Sequence, residues 1–145
     1  GQALVNIEIK HPDHGLYPIT ELTDHALNEV KNAGMIDRVI FSSFIPAALE
    51  GIQKNDPRVW LALLYHRSWK DPSEVTGGKE YSVLNLRHSY LTRSKIAGLH
   101  QAGMKVNVYT VNSGKELEQF VRWGVDGIIT NYPDRLNGIL RKKRG

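Results

Sequence analysis

Leu4-Val5-Asn6-Ile7-Glu8-Ile9-Lys10 is a short run in which two kinds of side chain alternate. A period of two is that of a strand, so Val5, Ile7 and Ile9 share one face and Asn6, Glu8 and Lys10 share the other. One face is apolar, and the other carries an amide, a carboxylate and an ammonium. In an antiparallel sheet open to water this is ordinary amphipathic patterning. In a parallel sheet the same charges stand in a lumen or at a ligand-binding end, where they must be paired, hydrated or bound to a cation.

The rest of the chain favours the parallel sheet. Apolar, β-branched runs return at residues 39–44, 59–64, 83–86, 106–111 and 127–130, and helical stretches separate most of them. Residues 20–33 carry Leu22, Ala26, Leu27 and Val30 at helical spacing and stop at Gly34, and Pro46 opens a second helix with Leu49 and Ile52 on one face. Thr92 and Ser113 are the expected N-caps of two more, which end at Gly103 and Gly124. Residues 69–80, with Pro72 and Gly77-Gly78, read as a long polar loop. Strand, helix and strand in alternation, with strands too apolar to face water, predict an α/β fold with a parallel sheet covered by helices. Six strands fit either an open doubly wound sheet or an unfinished (β/α)8 barrel, whose full set of eight units needs about 250 residues.

The 145 residues, 41% hydrophobic and 23% charged, are expected to form a single domain over residues 1–145. No apolar run has the ~18 to 20 residues of a membrane helix, and no charged n-region followed by an apolar h-region opens the given sequence. Gly1 stands where a starting Met is expected, which points to a processed, excised or engineered start. The net charge of +4 is matched by Arg141, Lys142, Lys143 and Arg144, a basic tail over 141–145 that complements the end of a last helix. A basic face with interleaved aromatics is missing, which argues against nucleic acid as a partner. Without cysteine there is no disulfide framework, thiolate metal site or Cys nucleophile.

Several strands finish in polar groups: Ser42-Ser43-Phe44, Tyr109-Thr110-Val111-Asn112 and Thr130-Asn131-Tyr132-Pro133. Polar residues at the C-terminal ends of parallel strands are the usual material of an α/β catalytic face. The six histidines form no His-Glu-x-x-His motif; His11 and His14 fall in a Pro- and Gly-bearing loop, and His66 and His88 follow strands. Walker, G-x-G-x-x-G and G-x-S-x-G motifs are all absent.

In order and spacing, Asn6-Ile7-Glu8-Ile9-Lys10, Ser42-Ser43-Phe44, Tyr90-Leu91-Thr92 with His100-x-x-Gly103, the 106–112 run and the 124–133 run resemble the second part of the glycerophosphodiester phosphodiesterase family. The resemblance implies a (β/α)8 TIM-type barrel, of which this chain supplies the last six β/α units. It also implies metal-dependent hydrolysis of glycerophosphodiesters to an alcohol and glycerol 3-phosphate, with Ca²⁺ or Mg²⁺ as cofactor. By position Glu8 resembles the family's metal-ligating glutamate, and Lys10 the catalytic lysine that faces the phosphate. Ser43, Phe44, Tyr109 and Asn131 resemble substrate-binding walls, with Tyr109 where the family often has Trp and Asn131 where many members have Asp.

The family's His-Arg-Gly, Glu-x-Asp and His-Asp motifs, which carry the catalytic histidines and further metal ligands, do not precede Asn6. His66-Arg67-Ser68 only mimics the first of them. The expected partners are therefore a small-molecule glycerophosphodiester and, because strands at both ends of the sheet would be left open, either the missing N-terminal segment or a homo-oligomer. The alternative is a catalytically silent incomplete barrel that acts as a binding or assembly module.

Overall fold

The computed structural model describes residues 4–10, 18–81 and 83–144. His11 and His14 lie outside the described residues. Strands form at all six expected places, and the chain divides into two compact units, one up to Leu64 and one from Tyr65 onward.

The first unit holds β1 (Val5–Ile9), α1 (Ile19–Asn32), a 3-10 turn (Ile36–Arg38), β2 (Val39–Ser43), α2 (Pro46–Asn55) and β3 (Trp60–Tyr65, of which Tyr65 already counts with the second unit). Its strands are parallel, with Glu8 opposite Ser42 and Ser42 opposite Ala62. Phe41, Leu49 and Ile52 are fully buried, and α2 packs on both α1 and β2. Asp56, between α2 and β3, is buried and takes Arg58 at 2.8 Å and Lys31 at 3.4 Å. Hydrogen bonds from the Arg58 guanidinium, which outweigh burial, hold the Asp56 carboxyl well below the usual carboxylate range.

The second unit holds α3 (Pro72–Thr76), β4 (Val83–Arg87), a 3-10 turn (His88–Tyr90), α4 (Arg93–Gln101), β5 (Lys105–Tyr109), α5 (Gly114–Trp123), β6 (Gly127–Ile128) and α6 (Pro133–Arg144). The strands β4, β5 and β6 are again parallel, with Asn85 opposite Asn107 and Asn107 opposite Gly127. Leu84, Leu86, Val106 and Val108 are buried on one face, with Leu99 of α4 and Leu117 of α5 also in the core. On the other face the Asn107 amide donates to Asn85 Oδ1 at 3.0 Å. A Cβ on Gly127 would come within 2.9 Å of Asn107 Cγ, so a side chain there would push the Asn107 amide from its place.

Three local expectations are corrected. Within the stretch read as a loop, α3 forms because Asp71-Pro72-Ser73-Glu74 is a capping box: Asp71 accepts from the Ser73 amide at 2.8 Å, Glu74 accepts from the Asp71 amide at 3.2 Å, and Pro72 sits where a missing N–H costs nothing. Thr92 does cap α4, accepting from Lys95 N at 3.3 Å, but the Ser113 hydroxyl makes no capping bond to α5. The basic residues 141–144 are helical, forming the end of α6, and Lys143 Nζ donates to Val121 O at the end of α5. That contact complements the negative end of the α5 dipole.

Candidate functional site

In the first unit the polar residues gather where β1 and β2 finish. Glu8 and Lys10 lie on the face opposite Ile7 and Ile9, with Lys10 Nζ 3.7 Å from Glu8 Oε2. The Glu8 side chain is 33% exposed and that of Lys10 74%, so both are open to a ligand. The register puts Ser42 on Glu8's face. Its hydroxyl is buried and has no hydrogen-bond partner among the described residues. The neighbouring Ser43 points the other way and is engaged: its hydroxyl donates to Ile9 O at 2.7 Å and accepts from Ile45 N at 3.0 Å. Ser43 thereby ties the end of β1 to the turn that exposes Phe44. The pattern of alternation along β2 was the signal that separates the two serines.

In the second unit the ends of β4, β5 and β6 carry a second polar group of residues. Tyr109 is half-buried and donates its hydroxyl to Tyr65 O at 3.1 Å. Asn112 Oδ1 accepts from Thr130 Oγ1 at 3.2 Å and from the Asn131 amide at 2.9 Å, which fixes the turn and leaves the Asn131 side chain exposed. Arg135 Nη1 donates to Asn112 O at 3.4 Å while its guanidinium lies over Tyr132. His88 Nδ1 stands 3.3 Å from Glu116 Oε1. His66-Arg67-Ser68 follows β3 and is exposed. Arg87 ends β4 on the face of Asn85 and, by register, beside Tyr109.

A hard cation such as Ca²⁺ or Mg²⁺ takes about six or more oxygen ligands. Among the described residues no three of His, Cys, Asp or Glu gather where an ion could be held, and Glu8 already faces an ammonium. The described residues alone therefore do not fit a divalent cation. No helix among them is long and apolar enough to cross a membrane.

Parallel strands that end in polar and charged side chains define the general class, an α/β protein with polar groups gathered at the C-terminal ends of its strands. The family follows from comparison with known proteins. The model of the glycerophosphoryl diester phosphodiesterase family matches residues 2–135, and the chain belongs to that family. A glycerophosphodiester phosphodiesterase of Caldanaerobacter subterraneus is 30% identical over 139 residues, which is 96% of this chain and 56% of the relative. The chain thus spans about half the length of the curated relatives it matches. Among solved structures, that of a Silicibacter pomeroyi protein assigned as a glycerophosphoryl diester phosphodiesterase superposes with a TM-score of 0.85 at 24% identity, covering 97% of this chain and 51% of that one. A phosphodiesterase of Oleispira antarctica, solved with the product sn-glycerol-3-phosphate, gives a TM-score of 0.81 at 19% identity over 95% of this chain and 55% of that one. These likenesses establish a shared fold.

Proposed function

We propose that this chain is part of a phosphoric diester hydrolase that converts glycerophosphodiesters to an alcohol and glycerol 3-phosphate, and that its six β/α units are the last six of a (β/α)8 barrel. The observation that carries the reading is the Glu8–Lys10 pair, open to solvent at the end of a parallel strand in a member of this family. Lys10 places its ammonium on the phosphoryl oxygens and stabilises the charge that grows there during hydrolysis. Glu8 is one oxygen ligand of a divalent cation, Ca²⁺ or Mg²⁺, whose other ligands come from outside the described residues. Phe44, Tyr109 and Asn131 contact the substrate, and Ser43, its hydroxyl bound to backbone, positions the turn that presents Phe44. Proton transfer to the departing alkoxide and from the attacking water needs a general acid and a general base, which the resemblance places in the family's N-terminal units.

The test is glycerol 3-phosphate release from glycerophosphocholine, by this chain alone and joined to the family's N-terminal β/α units, with and without chelator. The joined protein is expected to turn over in a chelator-sensitive way, and Glu8→Ala or Lys10→Ala is expected to lower kcat by about a hundredfold or more. Failure of a folded, joined protein to release glycerol 3-phosphate overturns the reading and leaves a binding module.

A further inference from the structure

We propose that the paired ends of α5 and α6 form a basic surface that holds this protein against anionic lipid bilayers; the inference does not depend on the phosphodiesterase reading. The whole surface lies within the second unit. Residues 65–145 carry 14 Lys and Arg against 7 Asp and Glu, whereas residues 1–64 carry 5 against 8. The excess is concentrated in one place: after Asp134 the chain has Arg135, Arg141, Lys142, Lys143 and Arg144 and no further carboxylate. The helix macrodipole puts only about half a negative charge at the C-terminal end of α6, too little to neutralise this run.

α6 packs on α5, whose last turn adds Arg122. Between the two helices runs a groove of about 270 Å³ lined by the half-buried Val121 and Ile139, the exposed Arg122, Lys142 and Lys143, and one carboxylate, Glu118. Lys143 Nζ is engaged, donating to Val121 O. Arg122, Arg141 and Lys142 are exposed and make no ion pair or side-chain hydrogen bond among the described residues. Arg141 does not line the groove and stands about 100° of helix turn from Lys142, so the positive charge spreads wider than one phosphate or carboxylate. Such a field fits an extended sheet of negative charge, with the apolar lining of the groove against the headgroup layer. Single-stranded nucleic acid is held on free aromatic faces, and the rings here are engaged: Trp123 lies edge-on to Phe120 with centroids 5.2 Å apart, and the Arg135 guanidinium covers Tyr132 at 3.9 Å. Glycerophosphodiesters arise when a glycerophospholipid loses both acyl chains, so a bilayer is also where the proposed reaction would meet its substrates. Each exposed Lys or Arg close to such a surface strengthens attachment about fivefold.

The experiment is co-sedimentation of the intact protein that carries this sequence with vesicles of phosphatidylcholine, alone or with a third of phosphatidylglycerol. Half of the protein is expected to bind at about 1 mM of the anionic mixture in about 0.1 M salt, to be released at about 0.5 M salt, and to ignore phosphatidylcholine alone. Arg122→Gln/Arg141→Gln/Lys142→Gln is expected to weaken binding about a hundredfold. Lys54→Gln/Lys70→Gln/Arg93→Gln removes the same charge from exposed positions elsewhere and is expected to keep most of it. Both variants are expected to keep the parent's thermal midpoint and its release of glycerol 3-phosphate from a soluble diester, so binding and hydrolysis are read separately. No binding to the anionic vesicles, equal binding to both kinds of vesicle, or equal losses in the two triple variants overturns the inference and leaves the phosphodiesterase reading untouched. Tighter binding to polyuridylic acid than to the anionic vesicles also overturns it and marks a nucleic-acid surface instead.

Discussion

Replacing Asp126 by alanine removes a carboxylate that closes the start of β5 onto the chain entering β6. Asp126 Oδ2 accepts from the Val106 amide at 2.8 Å and faces His100 Nε2 at 2.9 Å, while the Asp126 amide donates back to Val106 O at 2.8 Å. The substitution leaves this last bond and loses the other two. A hydrogen bond from an amide to a charged acceptor contributes about 1.5–3 kcal/mol, and the lower end applies here because the Asp126 side chain is 36% exposed and water can reach the orphaned donor. The partly exposed pair with His100 adds less than about 1 kcal/mol. The expected loss is about 2 kcal/mol, or a fall of about 6 °C in the thermal midpoint followed by circular dichroism. Burial alone would raise the Asp126 pKa, but the Val106 amide and His100 outweigh it, and the carboxyl titrates below its ordinary value. The unfolded chain therefore binds this proton more tightly than the folded one. The stabilisation is present above the unfolded value of about 3.9 and is lost as pH falls through the lower folded value. The gap between the parent and Asp126→Ala is expected to persist down to pH 5 and to close below about pH 4. An unchanged midpoint at neutral pH, or a gap that closes between pH 7 and 5, refutes the reasoning.

Two further outcomes test the local structure. Gly127→Ala forces a methyl group against the Asn107 side chain and is expected to cost about 1–3 kcal/mol in urea unfolding, with part of the loss regained in the Gly127→Ala/Asn107→Ala double variant. Thr92→Ala is expected to cost about 1 kcal/mol and Ser113→Ala less than about 0.5 kcal/mol, because only the Thr92 hydroxyl makes a capping bond; equal losses would contradict the assignment.

The central strands were legible because each is a short apolar run with a buried face, as with Phe41 of β2 or Val106 and Val108 of β5. The helix over 72–76 leaves no period in the sequence because five residues are too few for one to show; its signal is chemical, in the Asp71 to Glu74 cap. Ser113 has the residue type of a cap, yet a serine before a helix caps it only when its rotamer reaches the N2 or N3 amide, and here it does not. In the candidate site, Glu8 and Lys10 stood out because charge on one face of an otherwise apolar strand is costly unless used. Choosing between Ser42 and Ser43 required the register, which pairs Ser42 with Glu8.

Ser42 shows what such a polar layer costs. Its hydroxyl is fully buried with no partner among the described residues, a desolvation that takes about 1–3 kcal/mol from a chain whose whole stability is about 5–15 kcal/mol. A methyl group would fill nearly the same space at no such penalty. The position is thus a reservoir of thermal tolerance that the sequence leaves undrawn: Ser42→Ala is the substitution by which a heat-adapted version of this protein could be hardened without touching its shape.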